Sequence, residues 1–491
     1  MRNNHYQTTI KLVGERGAST PEAAFENPPV NFEATVTRWN QADLSNVELG
    51  GQSGANGPYK LSVSQGSFAF TPQARVDTST DNKLSITTDY PTGWKVVKIV
   101  DANGNDINTA SNSTTGWLKL TPNSISTVGT NLTMLELKAN NGGNRKGFIH
   151  ISAGRLTYVV KIEQEGLIKP EANSYIVKPN GSPLKIPVSR VNKSMLGNQL
   201  VTGDVFTAEL VWTDNSNKIS ASSNIKSISV EGTGPTGLLV IEPGSAEGNA
   251  VVAIKNASGK ILWSWHIWVT DYAPTFTGPG SFMDRNLGAM SNTPGNPKTH
   301  GLMYQWGRKD PFPGSTGKND GVDPTLYTIT GTIDVVVGNV QSNNLANAFA
   351  NPLTYYVNSS SPFDWYRTSA GAEDNKLWDP TIKSVYDPCP PGWRVPKTTS
   401  VWEGLNNTNY IWNHNTLGRT NESYGGFYPG AGRRGNDYPS YQFVGSSGRY
   451  WSSEANATSA SALDFDNGST VYLNPNGNYR AHSAAVRCVR E

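Results

Sequence analysis

Cysteine is nearly absent from this chain: Cys389 and Cys488 are the only two in 491 residues. With no Cys-x-x-Cys pair and six histidines in no ligand-like spacing, the usual zinc sites are excluded. Charge is scarce as well, with 16% Asp, Glu, Lys and Arg, a formal net charge of +2, and no Lys/Arg block. That argues against a nucleic-acid partner, because phosphate binding needs a clustered basic face. No run of 18 apolar residues occurs, so the sequence offers no bilayer-spanning helix. The opening Met1 to Tyr6 lacks the apolar core of a signal peptide. Either the protein is cytoplasmic, or this is the mature or trimmed form of an exported one. Abundant Asn, Thr, Ser and Gly with few Lys and Glu favour export to the cell surface, with any membrane attachment resting on a lipid anchor or export signal absent from this chain.

What the chain has in quantity is turn formers, 49 Gly and 30 Pro, the composition of a turn-rich β protein. Its length suits about three domains. Residues 1 to about 65 carry two alternating runs, Tyr6 to Val13 and Val30 to Val36, expected to add strands to the sheets that follow or to a neighbouring subunit. From Tyr59 to Gly166, runs such as Leu84 to Thr88, Trp94 to Val100, Lys146 to Ile151 and Tyr158 to Gln164 alternate apolar and polar residues at near-regular spacing. They predict a β-sandwich, so residues 1–166 form the first domain. Residues 167–273 supply about seven further strands, the count of an immunoglobulin-like sandwich. Its last run, Ile261 to Val269, puts Trp263 and Trp265 on one face and Trp268 on the other. These rings either seat the following domain or form an exposed stacking platform.

Residues 274–491 hold 14 of the 20 tyrosines and half of the 14 tryptophans. Three long segments, Asp310 to Asp323, Gly371 to Tyr386 and Asn406 to Arg449, read as loops too aromatic to be disordered. A short helix is expected within Val395 to Leu405, capped by Thr398 or Thr399. The two cysteines are expected to be bridged, which closes a loop of about a hundred residues and is worth roughly 3–5 kcal/mol on the chain-entropy account. Two buried free thiols are the alternative.

Five stretches of this segment stand in a recognisable order: FMDRNLGA from Phe282, YQWGRKDPFP from Tyr304, DPCPPGWRVP from Asp387, YWSS from Tyr450 and VRCVR from Val486. Together they resemble the Fibrobacter succinogenes major paralogous domain, a family similar to the C-type-lectin-like fold and to the sulfatase-modifying enzymes. The segment Gly116 to Leu118 and the closing Val159 to Gly166 of the first sandwich resemble the Bacteroidetes-associated carbohydrate-binding often N-terminal domain. The resemblance implies a multi-domain, mainly β protein: two immunoglobulin-like β-sandwiches followed by an α+β C-type-lectin-like domain with long loops. It also implies a surface or fimbrial protein of Bacteroidetes that binds and does not catalyse.

Pyranose recognition needs flat rings for the apolar face of the sugar and planar polar groups for its hydroxyls. Trp412, His414, Tyr424, Tyr428, Arg433, Arg434, Tyr438 and Trp451 offer that chemistry and are the candidate ligand-binding residues, although the same types suit protein hot spots or a loop-filling core. Asp464 and Asp466 are a weak candidate calcium pair, read more readily as a solvated hairpin at a sheet edge; otherwise no cofactor is indicated. The expected function is that of a non-catalytic adhesin or pilus-tip subunit binding a glycan or a host or microbial surface protein, alongside other fimbrial subunits. The rival readings are a glycan-binding lipoprotein of a polysaccharide-uptake system and an enzyme of the sulfatase-modifying type.

Overall fold

Period-two alternation in the sequence becomes sheet throughout. The computed structural model describes residues 6–13, 32–38, 53–54, 57–108, 116–194, 199–272, 276–277, 281–340, 345–367, 374–406, 408–456, 459–468 and 470–491. The chain divides into two units, Met1–Leu167 and Ile168–Glu491. Near the start, Tyr6–Val13 pairs antiparallel with Phe32–Arg38 as a two-stranded sheet of its own.

The first unit is a two-sheet sandwich. One sheet orders Leu118–Thr121 (β5), Gly129–Leu137 (β6), Lys83–Thr88 (β3) and Leu61–Val63 (β1). The other runs from Ser124–Ile125 through Trp94–Asp101 (β4), Arg145–Ala153 (β7) and Leu156–Gln164 (β8) to Ser67–Phe70 (β2), which joins β8 in parallel. Every second residue points inward, and Leu84, Ile86, Leu135, Ile149, Ile151, Val160 and Ile162 are buried between the sheets. Each such side chain stabilises the fold by about 1.5–3 kcal/mol relative to exposure. Trp94 lies in this core, and Trp117 sits beside it under the Arg145 guanidinium, 4.2 Å from the ring centre.

The second unit begins as another sandwich. Leu184–Pro187 (β10), Leu238–Pro243 (β13) and Ile225–Glu231 (β12) make a three-stranded sheet. Opposite it stand Ser174–Val177 (β9), Ile261–Val269 (β15), Gly248–Lys255 (β14) and Thr207–Thr213 (β11). This sheet continues beyond β11 into Leu326–Tyr327 and Thr332–Ile333, strands from the C-terminal segment. A single apolar core then runs from Ala172 in the sandwich to Cys488 near the chain end. This core crosses residue 273, where a domain boundary was expected, while a second apolar cluster from Phe282 to Val489 lies wholly C-terminal to it. Trp263, Trp265 and Trp268 are all buried in it. Trp263 packs on Phe349 and Tyr386 at centroid distances of 5.0 and 6.2 Å, so this ring seats the C-terminal segment and offers no stacking platform.

A polar seam fixes the same junction. Asn173 Nδ2 donates to the carbonyls of Val385 and Asp387, both at 2.8 Å, and Ser174 Oγ donates to Pro388 O at 2.6 Å. Asn173 Oδ1 in turn accepts from Arg190 Nε and Trp263 Nε1. Cys389 follows directly and is bonded to Cys488.

The C-terminal segment builds a large mixed sheet in which Leu302–Gln305 (β16), Ser483–Ala485 (β22), Ser447–Asn456 (β19), Ser459–Asp466 (β20) and Val471–Tyr479 (β21) are neighbours in that order. Arg433–Arg434 (β17) pairs with both Tyr441–Gln442 (β18) and β22. Residues 406–449, expected as one loop, contain these two strands and a small sheet of Trp412–Asn413, Gly418–Asn421 and Gly426–Pro429. Helix is slight: among the described residues the one α-helix is Leu345–Ala350, and the expected helix near 399 is a 3-10 turn, Thr399–Trp402, with Thr398 as its N-cap. No helix of the described residues is long and apolar enough to cross a membrane.

Candidate functional site

Strand alternation on β19, β20 and β21 sorts their side chains onto two faces. Tyr450, Leu463 and Leu473 lie in register and face the apolar core. The intervening row Arg449, Asp464 and Tyr472 is also in register and faces outward. At the edge of this outer face Gly432, Arg433, Phe443, Ser446, Ser447, Arg449, Asp466 and Asn467 enclose a cavity of about 270 Å3.

Its geometry is set by the turn after β18. Phe443 holds a left-handed backbone at φ 62°, unusual for an aromatic residue, and its carbonyl is clamped by the amides of Ser446 and Ser447 at 3.1 and 3.0 Å. The clamp leaves the Phe443 ring 57% exposed. Gly432, at φ 66°, lets the backbone pass against Gln442 to Val444, where a Cβ would lie 2.3 Å from Gln442 O. Arg433 Nε donates to Gln442 Oε1 at 3.0 Å, and its guanidinium carbon lies 5.2 Å from the Phe443 ring centre.

The charges around the cavity are unequally committed. Arg449 donates from Nε to Asp464 Oδ1 at 2.7 Å and from Nη2 to Oδ2 at 3.4 Å, and Asn478 Nδ2 donates to the same Oδ2 at 3.1 Å. Asp466 Oδ1 accepts from the amides of Gly468 and Thr470. Arg433 alone of these groups has no carboxylate partner among the described residues. Burial and the neighbouring Arg449 lower its pKa to about 10. His482, behind the cavity with Nδ1 facing Arg449 Nη1 at 3.4 Å, is pushed down to about 2 by burial and then by Arg433 and Arg449. It is therefore neutral, held so first by burial and then by the two arginines.

Of the eight candidate residues, Arg433 lines the cavity. Tyr438 is 65% exposed and His414 is exposed, but neither lines it. The others are corrected. Trp451 is buried with Nε1 donating to Tyr304 O, Tyr428 is buried beneath the Arg487 guanidinium, and Trp412 packs on Phe465. Arg434 is buried and holds Pro313 O, Pro439 O and Asp323. Tyr424 is half-buried against Phe282. These rings and the second arginine fill the segment's own core, since a fold with little helix must bury aromatic area. Asp464 and Asp466 lie on an inner strand, not an edge, with arginine beside Asp464, and the described residues hold no group of three or more potential metal ligands. Missed by the sequence reading were Arg449, Phe443 and His482. Arg449 was legible in principle, because it alternates with the inward Tyr450.

A second cavity of about 320 Å3 is lined in part by Trp212, Asp214, Asn249, Lys298 and Leu302. Its two carboxylates are already engaged, Asp214 accepting from Asn249 N and Nδ2 and Glu247 from Thr270 Oγ1 and Asp271 N. Lys298 stands exposed at that cavity, whereas Arg433 in the outer-face cavity is a half-buried guanidinium with no carboxylate hydrogen-bonded to it among the described residues.

No family model and no curated protein matches the chain. Among solved structures, a Bacteroides thetaiotaomicron protein is 15% identical, covering 24% of this chain and 96% of its own, with a TM-score of 0.17. Titin domains Z1Z2 in complex with telethonin are 12% identical over 43% of this chain and 98% of theirs, at 0.16. The Bacteroides ovatus mixed-linkage glucan utilization locus protein SGBP-B, in complex with a heptasaccharide, is 12% identical over 44% and 45%, at 0.14. Likeness at such TM-scores decides nothing about function.

Proposed function

We propose that this chain is a non-catalytic cell-surface adhesin or fimbrium-associated subunit that binds a glycan or surface protein through the outer face of its C-terminal sheet. The observation that carries this reading is the cavity in which an exposed, backbone-strained Phe443 stands beside Arg433, whose guanidinium has no hydrogen-bonded carboxylate among the described residues. An aromatic plate and a free fork of donors recognise a ligand; neither is a nucleophile or a proton-transfer group. The disulfide suits an oxidising location outside the cytoplasm. The resemblance to the Fibrobacter succinogenes major paralogous domain and its C-type-lectin-like fold is supported by the way its motifs converge: Phe282 pairs with Val489, and Trp393–Arg394 pairs with Val489–Arg490. The sandwich units then serve to carry the binding face.

The test is an array of glycans and of purified surface proteins probed with the full chain and with a R433Q/F443A double variant. Retention of at least one ligand by the parent and its loss in the folded variant supports the reading. Ligands held equally by both would place binding elsewhere on the molecule and sink it.

A further inference from the structure

We infer that the Arg433 cavity takes an acidic sugar, a pyranose bearing a carboxylate, with Arg433 as the fork that receives it. This rests on the binding reading above and narrows its ligand.

Four observations converge. Arg433 Nη1 and Nη2 have no acceptor among the described residues, while Nε is tied to Gln442 Oε1 at 3.0 Å, which fixes the plane of the guanidinium. The one carboxylate lining the cavity, Asp466, accepts from the Gly468 and Thr470 amides, and Asp464 beside it is engaged by Arg449 and Asn478. A half-buried guanidinium with no hydrogen-bonded carboxylate is desolvated with only a partial Coulombic return, from Asp464 nearby and the Phe443 ring, and a ligand carboxylate would add to it through two parallel N–H···O bonds. Arginine suits that geometry better than lysine because its donors lie in one plane.

The sugar part follows from the lining. The Phe443 ring is exposed next to the fork and matches the apolar C–H face of a pyranose. The remaining walls are short polar side chains, Ser446, Ser447 and Asn467, with no apolar hole for a peptide side chain. A volume of about 270 Å3 is at the lower end of small-ligand pockets, room for one ring.

Tri-galacturonate and its methyl ester are the probes, titrated calorimetrically into the full chain. The ester has the same ring and hydroxyls but no charge. The free acid is expected to bind ~10-fold or more tighter than the ester, with affinity falling as salt rises. R433Q should erase that preference, R433K should keep part of it, and F443A should weaken both probes alike. Each variant is checked for an unchanged thermal transition. Equal binding of acid and ester, both lost in F443A, would overturn the acidic-sugar inference while leaving surface binding intact. A ligand class of C-terminal peptide carboxylates, bound instead of sugars and lost in R433Q, would likewise overturn it. If neither the probes nor the array yields a ligand dependent on Arg433 or Phe443, both readings fall.

Discussion

Arg433 and Arg434 are chemically identical neighbours with opposite fates. One lines a cavity and the other is buried against backbone carbonyls, because successive strand residues face opposite sides. Most buried arginines here follow the second pattern. Arg487 donates to Asn286 Oδ1, Gly425 O and Phe427 O at 2.7–3.0 Å while lying 4.0 Å from the Tyr428 ring centre. Lysine cannot reach these acceptors together, so Arg487→Lys should cost about 3–5 kcal/mol in chemical denaturation. Histidine gives a second residue-scale expectation. His266 is lowered to about 3 by burial and His482 to about 2, both far below an unfolded value near 6.5. Below about pH 6.5 the unfolded chain binds protons that the folded chain refuses. Stability is therefore fully present above that pH and falls on acidification by about 1.4 kcal/mol per pH unit for each histidine. Urea midpoints at pH 7 and pH 5 should show the loss, and His482→Gln should remove part of it; a flat profile would contradict the burial of both rings.

At the scale of elements, the β9 end and the 385–388 segment are joined by side-chain bonds to carbonyls that have no sheet partner. Asn173 alone supplies two donors and an acceptor there. Asn173→Ala would leave Asp387 O short of its donor and Trp263 Nε1 short of its acceptor, while Val385 O would keep the Arg190 Nη2 donor at 2.7 Å. We expect a loss of about 2–4 kcal/mol in the denaturation of residues 168–491, with the first sandwich's transition unmoved. The seam was not legible in the sequence, since Asn173 lies in what reads as a linker, more than 200 residues from the carbonyls it holds. By contrast, the strands of the first sandwich were legible, because one buried face imposes strict alternation on Lys83–Thr88 and Leu156–Gln164.

At the scale of the molecule, the shared core decides which pieces can fold. A fragment of residues 1–167 and one of 168–491 should each unfold cooperatively, whereas 274–491 alone would expose the seat of Trp263 and lose the partner of Leu326–Tyr327. Expression of the three fragments with calorimetry checks this, and a cooperative transition from 274–491 would refute its dependence on the preceding sandwich. Replacing both Cys389 and Cys488 with Ser should lower stability by roughly 3–5 kcal/mol through the freed loop of 99 residues, seen as a lower urea midpoint of the 168–491 transition.

Composition and periodicity by themselves determined that the chain is mainly β, that its first sandwich ends near residue 167, and that its two lone cysteines were available to each other. These are local or counting properties, written in every second residue of a strand. Tertiary structure alone decided which aromatic residues are core and which are surface, that the second sandwich and the C-terminal segment share one interior, and that Arg433, Phe443 and Arg449 meet at one cavity. Trp451 reads as a sugar-binding candidate in the sequence and Phe443 does not; only pairing across β19, β20 and the turn after β18 turns the first ring inward and holds the second out.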